Sequence, residues 1–401
     1  MHPRPWSAVR ASIDRISLPA AFVDRQALRR NVERTVARIE RSDVSMRIAT
    51  KSIRSVEAMR TILADGGPRM VGLMCYAASE AAFLSDRGFD DLLVAYPTVQ
   101  PGPLRAVAER ARDGANISVV VDCETHGEAL SAAARAVGAT LDAVIEVDTS
   151  WRPGGGRIHV GARRSPVRSV EQAVALGRRL RDLGGVRVIG VMGYEAHVAG
   201  LPDAIAASPA MNAAKRAMKR AAEPVARSLR ADIAAALRAD GHDVRIVNGG
   251  GTGSVHLTSA DPAVTEVTAG SAFYAPRIFD DFDGLSLEPA AFFAVEVSRV
   301  SDPGFVTCGG GGYVASGSVG PDKAPVPWIP AGLRPLGAEG VGEVQTPLVL
   351  PEGCSLAIGD PVLFRHAKAG ELCEHFNHLH VIDGDQVVTS WATYRGDAQA
   401  F

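Results

Sequence analysis

A chain of 401 residues with 46% hydrophobic and 22% charged residues has the length for two or three domains around substantial cores. Lysine and arginine number 43 against 45 aspartates and glutamates, a formal charge of -2, which gives no electrostatic ground for a nucleic-acid or anionic-membrane partner and leaves a small molecule as the favoured ligand. The five cysteines, Cys75, Cys123, Cys308, Cys354 and Cys373, never stand as CxxC, so neither a disulfide framework nor a zinc finger is expected.

In chain order, the opening MHPRPWSAVRASIDRISLP lacks the continuous apolar core of a signal peptide, and no stretch of about 18 uncharged apolar residues follows. A cytoplasmic protein with no membrane partner is the expectation. Residues 1–20 read as an N-terminal segment that packs on a later β-domain. From 21 to 290, short apolar runs alternate with Ala/Arg/Glu-rich stretches of helical period. The runs are AAFVD, RIAT, GLMCYA, DLLVAYP, ISVVVD, AVIEVD, RVIGVMGYEA and VRIVNGG. Eight of them predict an α/β fold, a (β/α)8 TIM-type barrel of about 250 residues. Beyond 290 the chain turns to Val, Gly and Pro, which predicts a C-terminal β-domain over 291–401.

In such a barrel the chemistry sits at the carboxyl ends of the strands. Lys51 follows the second run. Asp148, Ser150 and Arg152 follow VIEV; Tyr194, Glu195 and His197 follow VIGVMG. NGGGTGS follows RIV, and TAGSAFYAP follows a further short run, AVTEV. Successive glycines expose backbone N–H groups that can nest an anion, and late barrel strands are where this architecture holds phosphate. The alternative for Gly249–Ser254 is a plain glycine-rich turn. The stretch has neither the lysine of a P-loop nor GxGxxG spacing, which disfavours a nucleotide. Gly310, Gly312 and Ala315 do have GxGxxA spacing, but no helical pattern follows, so they read as a β-domain turn with close backbone approach. A lysine at one strand end and a phosphate nest at another suggest a Schiff base between Lys51 and pyridoxal 5'-phosphate; a solvated surface lysine is the bland reading.

The order and spacing of LPAAFVD, RIATKSIRS, YAASEAAFLSDRGFDDLLVAYP, VIEVDTSWRPGGGRIHVG, GVMGYEAHVAG, IVNGGGTGS and VTEVTAGSAFY resemble the fold-type III pyridoxal phosphate enzymes, which include alanine racemase. Within them the chain is similar to the D-threonine aldolase and D-serine dehydratase group. The resemblance implies Lys51 as Schiff-base lysine and proton carrier, and Tyr194 stacked on the cofactor ring. It implies Gly251, Thr252, Gly253, Gly270 and Ser271 as the phosphate loops, and Arg152 as the arginine nearest the pyridine, although its distance from Asp148 is one residue short of the pattern. His197 stands as the histidine of a YEGH-like stretch, with Ala196 replacing glycine; a substrate-facing group and a structural histidine are both open.

A divalent metal in the β-domain is also implied, with CEHFNHLHV offering His375 and Asn377. Residues two apart on a strand share a face, and an amide oxygen in place of a thiolate or carboxylate suits a hard ion such as Mg²⁺, Mn²⁺ or Ca²⁺, with Zn²⁺ left open. His378 with His380, or no metal at all, are the alternatives. A homodimer is implied as well, in which Tyr394 and Arg395 would face a substrate carboxylate. The activity implied is aldol cleavage of a β-hydroxy-α-amino acid of D configuration. Dehydration to a keto acid would use the same residues, racemisation would need Tyr394 or Tyr313 across from Lys51, and a non-catalytic cofactor carrier would not need the β-domain.

Overall fold

The apolar run AAFVD forms the first strand, β1 (Ala20–Asp24), but it does not enter the barrel. In the computed structural model, which describes residues 6–318 and 320–401, β1 belongs to a separate mixed sheet. The barrel closes instead through β2 (Ser45–Ala49), β3 (Met70–Cys75), β4 (Leu92–Val94), β5 (Ile117–Val121), β6 (Leu141–Glu146), β7 (Val186–Gly193), β8 (Ile246–Gly249) and β9 (Glu266–Ala269), all parallel. The eighth strand is thus supplied by the short AVTEV run, and the expected start of the barrel at residue 21 is corrected. The described chain divides into two compact units. One comprises the chain up to Arg34, Ser52–Asp65 and Ser271–Ala400; the other comprises Thr35–Lys51, Gly66–Gly270 and Phe401.

In the barrel unit, β4 and β5 are buried at every position, as parallel strands covered on both faces must be. Leu93, Val120, Val144, Ile189 and Met192 form one core cluster. Buried charge is tolerated only where it is paired. Arg47 on β2, 2% exposed, donates to Glu266 on β9 at 2.8 Å and to Asp91 at 2.7 Å, and Asn248 on β8 donates to Glu266 at 2.8 Å. This polar seam joins the two strands that close the ring.

The other unit carries the β-domain. Its strands are β10 (Ala291–Arg299), β11 (Phe305–Gly309), β12 (Val326–Ile329), β13 (Arg334–Pro335), β14 (Gln345–Val349), β15 (Pro361–Arg365), β16 (His378–Asp383) and β17 (Gln386–Ala392). The main path runs β13-β14-β11-β10-β1-β16-β17, with β15 pairing both β10 and β12. Strand alternation sends Phe22 and Phe292 to one face, where they stack at 5.7 Å between ring centroids, and Phe293 and Phe364 to the other, at 5.3 Å. The helix Trp6–Ile13 lays Val9 and Ile13 against the Phe22 face, each burial being worth about 1.5–3 kcal/mol; residues 1–5 of the N-terminal segment lie outside the described residues. Gly312 must be glycine, because a Cβ there would come within 2.5 Å of the Gly342 backbone. That is the close approach read from CGGGGYVA. Ile53, two residues beyond Lys51, offers its carbonyl to the Tyr274 hydroxyl at 3.2 Å and the Cys373 thiol at 3.3 Å, and the Arg54 carbonyl accepts Tyr394 N–H at 2.8 Å. Among the described residues no helix is long and apolar enough to cross a membrane.

Candidate active site

β2 ends at Ala49, and a single 3-10 turn, Thr50–Ser52, carries Lys51 out at the carboxyl end of the strand. The Thr50 hydroxyl donates to the Met74 carbonyl at 3.0 Å and fixes that turn to β3. Lys51 Nζ donates to the Tyr96 hydroxyl at 3.3 Å and lies 5.6 Å from the Tyr96 ring centroid. Tyr96, just beyond β4, is also approached by Arg164. The guanidinium donates to its hydroxyl at 3.2 Å, stands 4.7 Å from its centroid and 5.8 Å from that of Tyr194, and pairs through Nε with Glu146 at the end of β6. Side chains from β2, β4, β6, β7 and the loop before the helix Val170–Leu183 therefore meet at one rim.

Their charges are mutually adjusted. Burial favours the neutral phenol of Tyr96, but Lys51 and Arg164 outweigh it and lower the pKa below the usual tyrosine value. Burial, together with the nearby Glu195, pushes Tyr194 up to about 12, so that ring stays neutral. Burial also raises Glu146 against the pull of Arg164. One test follows: in cofactor-free protein, an alkaline ultraviolet titration shows one of the six tyrosines ionising ahead of ordinary phenols, and Tyr96→Phe removes that early step.

The glycine loop after β8 is braced from beneath by Glu195. This buried carboxylate accepts the Gly250 N–H at 3.1 Å, the Ser254 hydroxyl at 3.2 Å, the Thr258 hydroxyl, and Arg230 Nη1 at 3.0 Å. Gly250 adopts φ +82°, the left-handed region that glycine enters freely. A Cβ on Gly251 would meet Ala199 at 2.9 Å and the Tyr194 ring at 3.2 Å, so only bare backbone passes there. Thr252 and Gly253 continue the loop. The second expected phosphate segment follows β9 directly: Gly270, then Ser271, whose hydroxyl is 3.3 Å from that of Ser52.

His197 lies in the short helix Ala196–Ala199, 6% exposed, with Nε2 lacking a hydrogen-bond partner among the described residues. Burial lowers its pKa, which leaves a neutral imidazole with an open nitrogen. Arg152 is held by Asp148 at 2.9 Å and the Ser150 hydroxyl at 3.1 Å in the loop after β6, and Arg164 is the arginine that reaches the two aromatic rings. His375 and Asn377 also differ from the strand setting expected of them. His375 ends the helical turn Glu371–His375 with its ring 4.5 Å from that of Tyr313, and Asn377 precedes β16. Both are exposed and flank the buried, extended Phe376, so they keep a common side. On β16, His378 and His380 flank the buried Leu379.

Sequence reasoning missed Tyr96, Glu146 and Arg164. Tyr96 was legible as the aromatic just before the proline that ends DLLVAYP. Arg164 stands 18 residues beyond its partner Glu146, in a loop where spacing carries no direction. A phosphorylated pyridine aldehyde fits what is present: a primary amine at the rim, a guanidinium against two aromatic rings, and a glycine loop that a single Cβ would block against Tyr194.

A closed parallel barrel with a lysine at its carboxyl rim, joined to an antiparallel-rich β-domain, defines an alanine racemase-like fold. The chain belongs to the alanine racemase N-terminal domain family, which it matches over residues 23–277. It is 28% identical over 312 residues to D-threonine aldolase of Arthrobacter sp, covering 77% of this chain and 75% of that protein. It is 26% identical over 292 residues to D-threo-3-hydroxyaspartate dehydratase of Delftia sp. (strain HT23), covering 72% and 70%. The crystal structure of D-threonine aldolase from Filomicrobium marinum superimposes with a TM-score of 0.79 at 24% identity, over 95% of this chain and 96% of that one.

Proposed function

We propose that the protein is a pyridoxal phosphate-dependent aldolase that cleaves a β-hydroxy-α-amino acid of D configuration to an aldehyde and a smaller amino acid. The observation that carries this reading is Lys51 at the barrel rim, its amine on the Tyr96 hydroxyl, in a chain similar to D-threonine aldolase. When bound, the cofactor supplies an electron sink for the bond that breaks.

The chain's own residues supply the rest. Lys51 would be the residue that anchors the cofactor covalently, and its amine would hold a proton near the α-carbon. Gly251, Thr252, Gly253, Gly270 and Ser271 would hold the phosphate through backbone N–H and hydroxyl groups. Tyr194 offers a neutral aromatic face, and Arg164 a fixed cation beside it. The open Nε2 of His197 suits it to take the β-hydroxyl proton. His375 and Asn377 would be the residues that hold a divalent ion, which would supply Lewis acidity. A cytoplasmic homodimer acting on small amino acids completes the proposal.

Arg164 and Arg152 separate by effect. Arg164→Leu is expected to lower kcat/KM by about 10²–10³, the size of losing one preorganised electrostatic contact. Arg152→Leu, which removes only a loop brace, stays within about tenfold, well below that loss.

The similarity to a dehydratase supports a second reading, in which the ion-bound hydroxyl is expelled to give keto acid and ammonia. Product analysis after incubation with D-threonine, D-serine and D-phenylserine, with and without EDTA, decides. Glycine plus aldehyde, lost on chelation and restored by Mn²⁺ or Mg²⁺, is the expected result; keto acid plus ammonia overturns the aldolase reading in favour of dehydration.

A further inference from the structure

Asp122, Cys123 and His126 take no part in the groups described above. Asp122 follows the last residue of β5, on the same rim as Lys51. Cys123 is extended at φ -152°, ψ 168° and caps the helix Glu124–Val137, and His126 lies in that helix's first turn. Helical side chains lean toward the amino terminus, so His126 turns back over the two residues before the helix. One donor atom from each residue, a carboxylate oxygen, a sulfur and an imidazole nitrogen, lies within 4.8 Å of the others; among the described residues no other group of three or more His, Cys, Asp or Glu does this. His126 Nδ1 stands 2.8 Å from Asp122 Oδ1, so two of the three donor atoms are already in contact.

We propose that Asp122, Cys123 and His126 bind a zinc-type divalent cation at the barrel rim, with a fourth coordination position left for water or a ligand. The donor set selects the class of ion, because a thiolate beside an imidazole and one carboxylate suits Zn²⁺ or Co²⁺ and disfavours Mg²⁺ and Ca²⁺. Zinc bonds of about 2.0–2.3 Å place tetrahedral ligand atoms roughly 3–4 Å apart, and the three donor atoms here lie within 4.8 Å of one another. Asp122 is buried while Cys123 and His126 are half-buried, so an ion can enter from solvent and still lose most of its hydration. Burial raises Glu146 and the charge of Asp122 raises it further; a cation on Asp122 offsets the second effect and strengthens the Glu146–Arg164 pair.

Chelator-treated holoenzyme is titrated with Co²⁺ and read in the visible d–d region, with the cobalt–thiolate charge-transfer band taken as a difference spectrum. One equivalent with tetrahedral intensity, displaced by Zn²⁺, is expected. Cys123→Ser abolishes the thiolate band. Asp122→Asn and His126→Ala weaken zinc binding beyond the roughly 10- to 100-fold that outer-shell changes cost. His375→Ala keeps the band, which separates this site from any ion in the β-domain. Metal-free melting curves of the three variants match that of the chelated parent, so lost binding is not lost fold. The proposal is overturned if cobalt produces no thiolate band in the parent, or if the band persists with unchanged affinity in Asp122→Asn and His126→Ala.

Discussion

Lys51→Ala abolishes the bound-cofactor absorbance and lowers aldol cleavage by roughly 10⁴-fold or more, beyond the 10²–10⁴ that one acid–base group commonly supplies. The size follows from two duties on one amine, covalent anchorage and proton transfer at the α-carbon, which no neighbour can assume. Arg164 stays protonated at any working pH, and the Tyr194 phenol, at about 12, holds its proton. Lys51 is exposed, so its loss changes folding stability by less than about 0.5 kcal/mol. The same variant returns the Tyr96 phenol toward its ordinary value, because one of the two cations that lower it is gone. Borohydride reduction followed by peptide mapping checks the assignment directly: the parent is labelled at Lys51 and the variant nowhere. A variant that keeps the absorbance, or a label on another lysine, sinks the assignment.

The barrel was legible because strands buried on both faces are written as continuous apolar runs, and seven of the eight stood out in the sequence. The edge of that legibility is instructive. AAFVD is as apolar as any barrel strand, but β1 is buried between β10 and β16 in the β-domain sheet. A short apolar run records that it is covered, not by which sheet. The true closing strand, β9, carries Glu266 and Thr268 and so reads as half polar. Those side chains are buried all the same, Glu266 paired with Arg47 and Thr268 bonded to Asn248. Tertiary pairing that a one-dimensional pattern cannot express hid the seam. The site divided the same way. Lys51 and the glycine loop follow their strands immediately, so chain order placed them at the rim. Arg164 reaches the rim from a loop, and only folding shows that it, not Arg152, faces Tyr96. Glu195 was noted merely as a strand-end neighbour. Its role as the brace under the glycine loop depends on Arg230, 35 residues further along the chain.

That brace carries the largest expected effect on stability. Arg230, Glu195 and Asp261 are 1%, 2% and 1% exposed at their side chains, and the one guanidinium serves both carboxylates at 3.0 and 3.3 Å as well as the Gly193 carbonyl at 3.1 Å. Arg230→Met keeps much of the volume but strands two buried carboxylates, and removing one partner of a buried ion pair costs about 3–5 kcal/mol. The loss appears as a lower urea midpoint. Because Glu195 holds Gly250, Ser254 and Thr258, the variant also binds pyridoxal phosphate less tightly, read from absorbance during cofactor titration. The pH dependence separates this account from a simple packing defect. In the parent, burial works to raise the Glu195 pKa, but Arg230 and the hydrogen bonds from Thr258 and Gly250 outweigh it, so the folded value is depressed. A depressed carboxylate contributes stability that is fully present above its unfolded value, about 4.3, and is lost as pH falls through the folded one. In the variant the sign reverses. The uncompensated Glu195 carboxylate takes up its proton more readily folded than unfolded, so its penalty is greatest at neutral pH and shrinks on acidification. The gap between the two proteins therefore narrows steadily from pH 8 to pH 4.5. A gap constant over that range would assign the whole loss to packing, and with it would go the claim that Glu195 holds the glycine loop as a charged brace.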